Sequence, residues 1–206
     1  MTNMMADLFD DASSCYSLDL PDADIRYYPC FIAAAEADRL LSELINKVQW
    51  QQESIVVYGK SYRVPRLSAW YADDGKCYEY SGLKKTGVPW LPILQQLKLE
   101  IQQVAKSSFN SVLANLYRDQ NDGVGWHADD EPVLGRQPVI ASLSLGQNRM
   151  FQLKHNQDKS LKQNIELTHG SLLIMQGKTQ HYWQHQVPKS KQPMSERINL
   201  TFRNVV

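Results

Sequence analysis

Two histidines and an aspartate, separated by a long stretch of chain, constrain the fold more than any other feature of this sequence. His127 and Asp129 stand two residues apart, and His185 follows 58 residues after His127. Residues i and i+2 of an extended segment point to the same side, so His127 and Asp129 can hold one metal ion together. The third ligand must then come from another strand. Two imidazoles and one carboxylate on one face of Fe(II) leave the opposite face open for other ligands.

The segment from Arg197 to Arg203 predicts a strand beside that site. Polar and apolar residues alternate along it, which gives the strand one polar and one apolar face. The polar face carries Arg197, Asn199 and Arg203. Because guanidinium groups bind carboxylates through paired hydrogen bonds, this face indicates a pocket for a carboxylate ligand. An edge strand with a solvated polar face would give the same pattern, so the strand alone leaves both interpretations open.

Hydrophobic spacing predicts helices early in the chain and short strands after them. Leu40, Leu44 and Val48 fall on one face of a helix predicted over 34–48, and a second helix is predicted over 91–106. Short β-rich or alternating segments predict strands at 111–117, 139–145, 150–155, 164–167, 171–175 and 197–203. This order predicts an α+β fold in which helices pack on a β-sandwich or jelly roll.

Length and composition indicate one globular domain. The chain has 206 residues, and residues 1–24 hold six aspartates and no basic residue. We therefore expect an acidic, flexible extension over 1–24 and a single domain over 25–206. No apolar run of about 18 residues and no secretory signal is found, so we expect no membrane partner. Three scattered cysteines fit a reducing compartment, and the expected localisation is cytoplasmic, or nucleoid-associated, or nuclear in a eukaryote.

Charge is distributed unequally along the chain although its net value is zero. Residues 1–135 carry 12 Lys/Arg and 19 Asp/Glu, whereas residues 136–206 carry 10 and 3. A polyanion would meet the basic surface rather than the neutral average. Nucleic acid therefore remains a candidate partner, although a basic surface that is only solvated would have the same composition.

Several short motifs occur in order along the chain. They are Val57-Tyr58-Gly59, Val64-Pro65-Arg66, Tyr78-Glu79-Tyr80-Ser81-Gly82, Pro89-Trp90, Asn115-Leu116-Tyr117, His127-Ala128-Asp129-Asp130-Glu131, His185, and the strand from Arg197 to Arg203. In this order and spacing the sequence resembles the AlkB family of Fe(II)/2-oxoglutarate-dependent dioxygenases, and in particular the branch that repairs N-alkylated bases in DNA. The resemblance runs from about Tyr58 to Phe202, which is most of the chain.

The resemblance implies a double-stranded β-helix, a form of jelly roll, with the N-terminal helices packed against it. It implies Fe(II) held by His127, Asp129 and His185, with 2-oxoglutarate and O₂ as co-substrates. The residues that it assigns to 2-oxoglutarate are Asn115, Tyr117, Arg197, Asn199 and Arg203. Zn²⁺ could occupy the same three ligands, but the arginine-rich strand favours iron because 2-oxoglutarate needs a carboxylate clamp beside the metal. Which arginine binds which carboxylate stays open, although the family pattern favours Arg197 for the far end.

Recognition of a base is assigned by the resemblance to a segment over residues 50–90. A base inside a duplex is out of reach of a buried oxidant, so the target must be flipped out or already unpaired. Tyr78 and Tyr80 would sandwich this base, and an aromatic pair in the core is the structural alternative. Asp130 and Glu131 would accept hydrogen bonds from the base or pair with the positive charge that alkylation creates, with Asp130 favoured.

Further residues are assigned to contacts with the nucleic acid strand. Tyr58 resembles the tip of a hairpin finger that fills the gap left by a flipped base, and a plain exposed turn is the alternative. Arg66 would hold Asp130 or a phosphate. The lysines that are candidates for phosphate contacts are Lys154, Lys178, Lys189 and Lys191.

The other histidines are expected to have no place among the metal ligands. Only His185 stands in the Trp-Gln-His context of the family, which excludes His181 four residues earlier. His169 precedes an apolar strand and is expected in a turn or a supporting position. His155 is expected at the surface.

The function that these patterns favour is oxidative demethylation of N-alkylated bases in DNA, of the 1-methyladenine and 3-methylcytosine type, with release of formaldehyde. The expected partner is alkylated DNA, double- or single-stranded, with RNA as a second substrate, and the expected state is a monomer. One alternative is a dioxygenase of the same class that acts on modified RNA or on protein. The others are a non-catalytic jelly-roll binding module and a zinc hydrolase that uses the same ligands.

Overall fold

Two facing antiparallel sheets, with two helices outside the larger one, form the body of the protein. The computed structural model describes residues 14–57, 59–73, 77–80, 83–86 and 88–206. Their elements, in chain order, are β1 (Tyr16–Ser17), β2 (Asp24–Tyr28), α1 (Ala34–Lys47), β3 (Gln51–Val57), β4 (Lys60–Ala72), β5 (Cys77–Tyr80), β6 (Leu83–Thr86), α2 (Pro92–Ala105), β7 (Ser111–Tyr117), β8 (Val124–His127), β9 (Ile140–Gly146), β10 (Arg149–His155), β11 (Lys162–Leu167), β12 (Leu172–Gln176), α3 (Thr179–Tyr182), β13 (Trp183–Val187) and β14 (Arg197–Arg203). None of the helices described has the length and apolar character needed to cross a membrane.

The two sheets form a jelly roll. The larger has the strand order β1-β2-β12-β9-β14-β7-β4-β3, the smaller has the order β11-β10-β13-β8, and β5 pairs with β6 in a separate hairpin. One apolar core, between the larger sheet and the helices, includes Leu44 of α1 and Leu97 of α2. A second core lies between the sheets and includes Tyr117 of β7 and Phe151 of β10. The prediction of an α+β jelly roll with N-terminal helices packed against it is confirmed.

Strand β14 joins the helix-facing core to the space between the sheets. Ile198, Leu200 and Phe202 lie in the core under the helices. Since successive side chains on a strand point to opposite faces, the intervening polar residues face the smaller sheet. Arg197 and Arg203 are both buried there, so the strand is buried on both faces and the alternative of a solvated edge strand is wrong.

The two long helices begin and end close to the residues that the hydrophobic spacing predicts. Pro92 stands in the first turn of α2, where a missing backbone N–H costs no hydrogen bond. That helix ends at Lys106, which has a left-handed φ of 51°. On the solvent side of α1, Arg39 donates hydrogen bonds to Glu36 and Glu43, one turn before and after it. Both helices therefore bury one face and solvate the other.

The chain before β2 differs from the flexible extension predicted for residues 1–24. Residues 1–13 lie outside the described part, but Leu18 and Leu20 pack against the core between the sheets. The indole Nε1 of Trp183 donates a 2.9 Å hydrogen bond to the carbonyl oxygen of Pro21. Residues 14–24 are thus part of the domain, because the start of β13 lies under them.

The prediction for His155 was wrong. This residue ends β10 beside a polar loop, which suggested the surface, but it is only 5% exposed. Its ring stacks on Tyr182 and meets Trp183 edge-on. Its Nδ1 accepts hydrogen bonds from the backbone N–H groups of residues 157 and 158. His155 therefore closes the loop that follows β10.

Candidate metal centre and adjoining carboxylate pocket

His127 and His185 are directly paired across two neighbouring strands. His127 is the last residue of β8, its register partner on β13 is His185, and their ring centroids are 4.3 Å apart. Asp129 follows two residues after β8 and is buried. One ligand atom from each of the three residues lies within 4.8 Å of the other two. The structure therefore brings the predicted triad together.

Hydrogen bonds fix the orientation of two of these side chains. His127 Nδ1 lies 2.8 Å from the carbonyl oxygen of Gly125, so Nδ1–H donates there and Nε2 is left to face an ion. The backbone N–H of Asp129 donates to Gln180 Oε1 at 2.9 Å. Its carboxylate Oδ1 accepts a 2.6 Å hydrogen bond from Nη2 of Arg203, and this pair is buried. Two nitrogen donors and one carboxylate oxygen fit Fe(II), and the same donors are acceptable to Zn²⁺.

The protonation states of the site suit metal binding. Burial and the neighbouring His127 lower the pKa of His185 to about 3, so its imidazole is neutral at pH 7. Burial alone would raise the pKa of Asp129. The positive charge of Arg203 and the nearby imidazoles outweigh burial, and the pKa of Asp129 lies below its usual value. A neutral imidazole and an ionised carboxylate are the forms that bind a metal cation.

A second polar cluster lies in the same cavity as the triad. The residues predicted for 2-oxoglutarate all line this cavity together with His127, Asp129 and His185; they are Asn115 and Tyr117 of β7, and Arg197, Asn199 and Arg203 of β14. Arg66 of β4 also lines it. All of these side chains come from the larger sheet, whereas the two histidines come from the smaller sheet. The cavity is thus the space between the two sheets at one end of the jelly roll.

Arg197 carries unused hydrogen-bond donors inside this cavity. It is 1% exposed, and its Nη2 donates to Ser144 Oγ at 3.0 Å. Its Nε and Nη1 are buried and have no hydrogen-bond partner among the described residues. Burial lowers the pKa of this guanidinium, which reflects the cost of holding a charge there without a counter-ion. An anionic ligand could accept hydrogen bonds from these donors, so the residues present fit a carboxylate of 2-oxoglutarate.

Neighbouring hydroxyls hold the amide of Asn199 in place. Asn199 Nδ2 donates to Ser142 Oγ at 2.7 Å, and its Oδ1 accepts from Thr201 Oγ1 at 2.9 Å. Ser142 and Ser144 lie on β9, which pairs with β14 in register. The sequence reasoning did not single out these serines. Their alternation in the buried strand is a signal that could have identified them.

Arg149 is a supporting residue that the sequence analysis missed. It is 1% exposed and donates hydrogen bonds to the carbonyl oxygens of Asp119, Asp122 and Pro188. The first two carbonyls lie between β7 and β8, and the third follows β13. Its guanidinium lies 5.5 Å from the centroid of the Tyr117 ring. Arg149 therefore ties together the loops that lead into and out of the strands bearing the histidines.

Of the two partners predicted for Arg66, Asp130 and a phosphate, Asp130 is not in contact with it. Its Nε donates to Asn115 Oδ1 at 2.8 Å, and its Nη1 lies 3.5 Å from the carbonyl oxygen of Gly123. Asp130 is exposed because it follows the inward-facing Asp129 and projects the other way. Arg66 is thus placed to orient Asn115 rather than an acidic residue.

The remaining residues predicted for the base pocket are placed only in part. Glu131 is half-buried and precedes a short 3-10 helix, Pro132–Leu134. Neither Asp130 nor Glu131 is among the described residues that line the cavity. Tyr58 lies outside the described residues. Tyr78 and Tyr80 lie on β5, and their side chains fall outside the described part of the chain.

Comparison with known proteins identifies the family. The sequence profile of the 2OG-Fe(II) oxygenase superfamily matches residues 24–203. The chain is 41% identical to human alpha-ketoglutarate-dependent dioxygenase alkB homolog 3 over 207 residues, which covers 95% of this chain and 72% of that protein. The chain belongs to the AlkB family of 2OG-Fe(II) oxygenases.

Other relatives agree with this AlkB-family assignment. Mouse DNA oxidative demethylase ALKBH2 is 36% identical over 189 residues, which covers 87% of this chain and 79% of the relative. The solved structure of OsALKBH1 has the same fold, with a TM-score of 0.64 at 16% identity over 93% of this chain and 100% of the other. As a member of the family, the AlkB-family protein described here is a dioxygenase that uses Fe(II), 2-oxoglutarate and O₂.

Proposed function

We propose that this AlkB-family dioxygenase removes alkyl groups from the nitrogen atoms of nucleic acid bases, with DNA as the first substrate and RNA as a second. The observation that carries the proposal is a buried His-Asp-His triad that shares one cavity with unsatisfied arginine donors. Relatives at 36 to 41% identity, a DNA oxidative demethylase among them, support the substrate class. A non-catalytic jelly roll would have no need to bury an unpaired guanidinium beside three metal ligands.

His127, Asp129 and His185 would hold the iron, which, when bound with 2-oxoglutarate and O₂, supplies the oxidant that hydroxylates a carbon while 2-oxoglutarate becomes succinate and CO₂. His185 is already neutral at pH 7, so it offers its lone pair without losing a proton. Arg203 binds one carboxylate oxygen of Asp129, so the other oxygen would be the metal ligand. Arg197 would bind the far carboxylate of 2-oxoglutarate with its buried guanidinium, whose Nε and Nη1 have no other partner among the described residues. The ring of Phe151 stacks on His185 with centroids 5.1 Å apart and keeps water from that imidazole.

The proposed lesions are 1-methyladenine and 3-methylcytosine. Hydroxylation of the N-methyl carbon gives an N-hydroxymethyl base. Its C–N bond then breaks, the nitrogen keeps the electron pair, the hydroxyl loses its proton, and formaldehyde leaves. Because these methylated bases are cations, a carboxylate that contacts the base would favour them. Asp130 and Glu131, which follow the ligand Asp129 but do not line the cavity, are the proposed acceptors. Tyr78 and Tyr80 are proposed to stack on the base, and Tyr58 to fill the gap in a duplex.

The experiment that tests this function measures formaldehyde released from a 1-methyladenine oligonucleotide. We expect release only when iron and 2-oxoglutarate are both present, with one succinate formed for each base repaired. Asp129→Asn is the matched inactive control, since the amide keeps the size of the side chain but removes the anionic ligand. Succinate formation without formaldehyde from any methylated base would show that the dioxygenase acts on another substrate class.

A further inference from the structure

A groove runs outward from the metal cavity. Its walls are Ile55, Tyr62 and Arg63 of the β3–β4 hairpin on one side and residues 123–126, which lead into the metal ligand His127, on the other. The groove and the cavity share Arg66, Val124 and His127. A polymer with one residue in the cavity would therefore pass its next residue along this groove.

Two exposed aromatic rings face this groove. Among the described residues, the exposed aromatic side chains are Tyr16, Tyr62 and Trp126. Tyr62 is 51% exposed and Trp126 is 38% exposed, and both line the groove. Trp126 precedes His127 on β8, so its ring points away from the metal cavity while remaining one residue from it. Large exposed rings beside an active site cost hydrophobic free energy unless a ligand covers them.

A lysine contacts the tryptophan ring. The Nζ of Lys154 on β10 lies 4.3 Å from the centroid of the Trp126 ring. Trp126 lines the groove and Lys154 does not. A cation on one face of an indole leaves the opposite face free for a second flat partner.

The charge of this surface suits an anionic polymer. Arg63 and Arg66 line the groove, and among the described residues that line it there is no aspartate or glutamate. In the described part of the chain, neither Arg63 nor Lys154 makes an ion pair within 4.0 Å. Positive side chains interleaved with exposed aromatic rings are the pattern that binds single-stranded nucleic acid, because each base has a flat face and each nucleotide carries one phosphate.

We propose that Tyr62 and Trp126 form a stacking platform for the nucleotide next to the target base in an unpaired strand, with Arg63 placed for its phosphate. The inference rests on the proposed function, since it places the target base in the metal cavity. It commits to an unpaired strand, because a base that stays paired and stacked in a duplex has no free face for these rings.

The test compares two substrates that carry the same methylated base. One is the 1-methyladenine mononucleotide, which cannot reach the platform, and the other is a five-nucleotide single strand with that base in the centre. The measured quantity is the ratio of kcat/KM for the pentanucleotide to kcat/KM for the mononucleotide. We expect Trp126→Ala and Tyr62→Ala each to lower this ratio about tenfold, and Trp126→Phe to restore much of it.

Tyr16→Ala is the matched control. Tyr16 is more exposed than Tyr62 and Trp126 but lies on β1, at the edge of the larger sheet opposite to β3. We expect the ratio for this variant to equal that of the wild type. If Trp126→Ala lowers kcat/KM equally for both substrates, the ring only supports the neighbouring His127, and the platform is wrong.

A binding measurement separates the platform from the proposed function. Fluorescence anisotropy of an unmodified, labelled single strand on the metal-free protein requires no turnover. We expect Trp126→Ala to weaken this binding about tenfold, and an unchanged affinity would overturn the platform. If the wild type releases no formaldehyde from either methylated substrate, the proposed function fails, and the anisotropy result still decides whether the groove binds a strand.

Discussion

Arg203 donates a 2.6 Å hydrogen bond from Nη2 to Oδ1 of Asp129 inside the protein, where neither side chain is more than a tenth exposed. The pair links β14 of the larger sheet to the segment that follows β8 of the smaller sheet. The guanidinium keeps Asp129 ionised and restricts its carboxylate to one orientation. The same contact therefore serves the metal site and the packing of the two sheets.

Replacement of Asp129 should separate these two effects. Asp129→Ala removes the metal ligand and leaves the charge of Arg203 buried without its counter-ion. We expect no turnover and a loss of about 3 kcal/mol in the free energy of unfolding of the metal-free protein. Asp129→Asn should also lack turnover but lose less stability, because its amide oxygen still accepts a hydrogen bond. Urea unfolding of the three proteins measures the difference, and equal stability of the alanine variant and the wild type would contradict it.

The stability of the metal-free protein should depend on pH through His185. Its pKa is about 3 in the folded state and close to 6.5 in the unfolded chain. Its contribution is fully present above pH 6.5 and is lost as the pH falls toward 3, because only the unfolded state takes up the proton. Between pH 6 and 4.5 the free energy of unfolding of the wild type should decrease as the pH falls. His185→Gln should reduce this dependence by up to about 1.4 kcal/mol per pH unit. The free energies of unfolding are measured with urea at several pH values. The same pH dependence for the two proteins over this range would argue against a neutral, buried His185.

Replacement of Arg197 should affect 2-oxoglutarate and spare the metal. A lysine keeps the charge but cannot form two parallel hydrogen bonds to one carboxylate. We expect Arg197→Lys to raise the KM for 2-oxoglutarate at least about tenfold while the affinity for iron changes little. Ser144→Ala removes only the hydrogen bond to Arg197 Nη2 and should have a smaller effect in the same direction. Initial rates at varied 2-oxoglutarate and an anaerobic iron titration provide the two readouts.

Arg149 should matter for stability although it touches no metal ligand. Arg149→Met leaves three carbonyl oxygens without their donor, and we expect a loss of about 3 kcal/mol in the free energy of unfolding. Arg136→Met is the control, since Arg136 is exposed in a loop. Differential scanning calorimetry compares the variants. A similar melting temperature for both would show that the loops do not depend on Arg149 for their stability.

Tyr58 provides a test of how the enzyme approaches a duplex. If its ring fills the gap left by a flipped base, Tyr58→Ala should lower kcat/KM for a methylated duplex several-fold more than for the matching single strand. If Trp126 is part of the stacking platform proposed above, Trp126→Ala should lower kcat/KM more for the single strand than for the duplex. Equal losses of kcat/KM on both substrates for Tyr58→Ala would contradict the proposal that Tyr58 fills the gap left by a flipped base.

The sequence predicted the cavity best where the relevant residues share one strand. The alternation in β14 placed Arg197, Asn199 and Arg203 on one face, since that pattern depends only on the two-residue period of a strand. The pairing of His127 with His185 followed from the requirement that one ion have both as ligands. The first prediction needed only a local rule, and the second needed only the coordination chemistry of a single ion.

The contacts of the supporting residues could not be predicted in this way. Ser144 reaches Arg197 because β9 and β14 are neighbours in a particular register, although 53 residues separate them in the chain. Arg149 acts through backbone carbonyls, which leave no pattern in the sequence. His155 has polar neighbours in the chain and is buried only by distant packing against Tyr182 and Trp183. These contacts depend on strand order and loop paths, which hydrophobic spacing does not encode.

The placement of His127 on the outermost strand of the smaller sheet has a further consequence. Strand β8 has a single hydrogen-bonded neighbour, β13, and their register shifts between His185 and Val187. A strand held on one side frays more readily than the centre of a sheet. We therefore expect transient separation of β8 from β13 to limit the rate of ion release. The residence time of the metal would then depend on this backbone opening as much as on the strength of the coordination bonds.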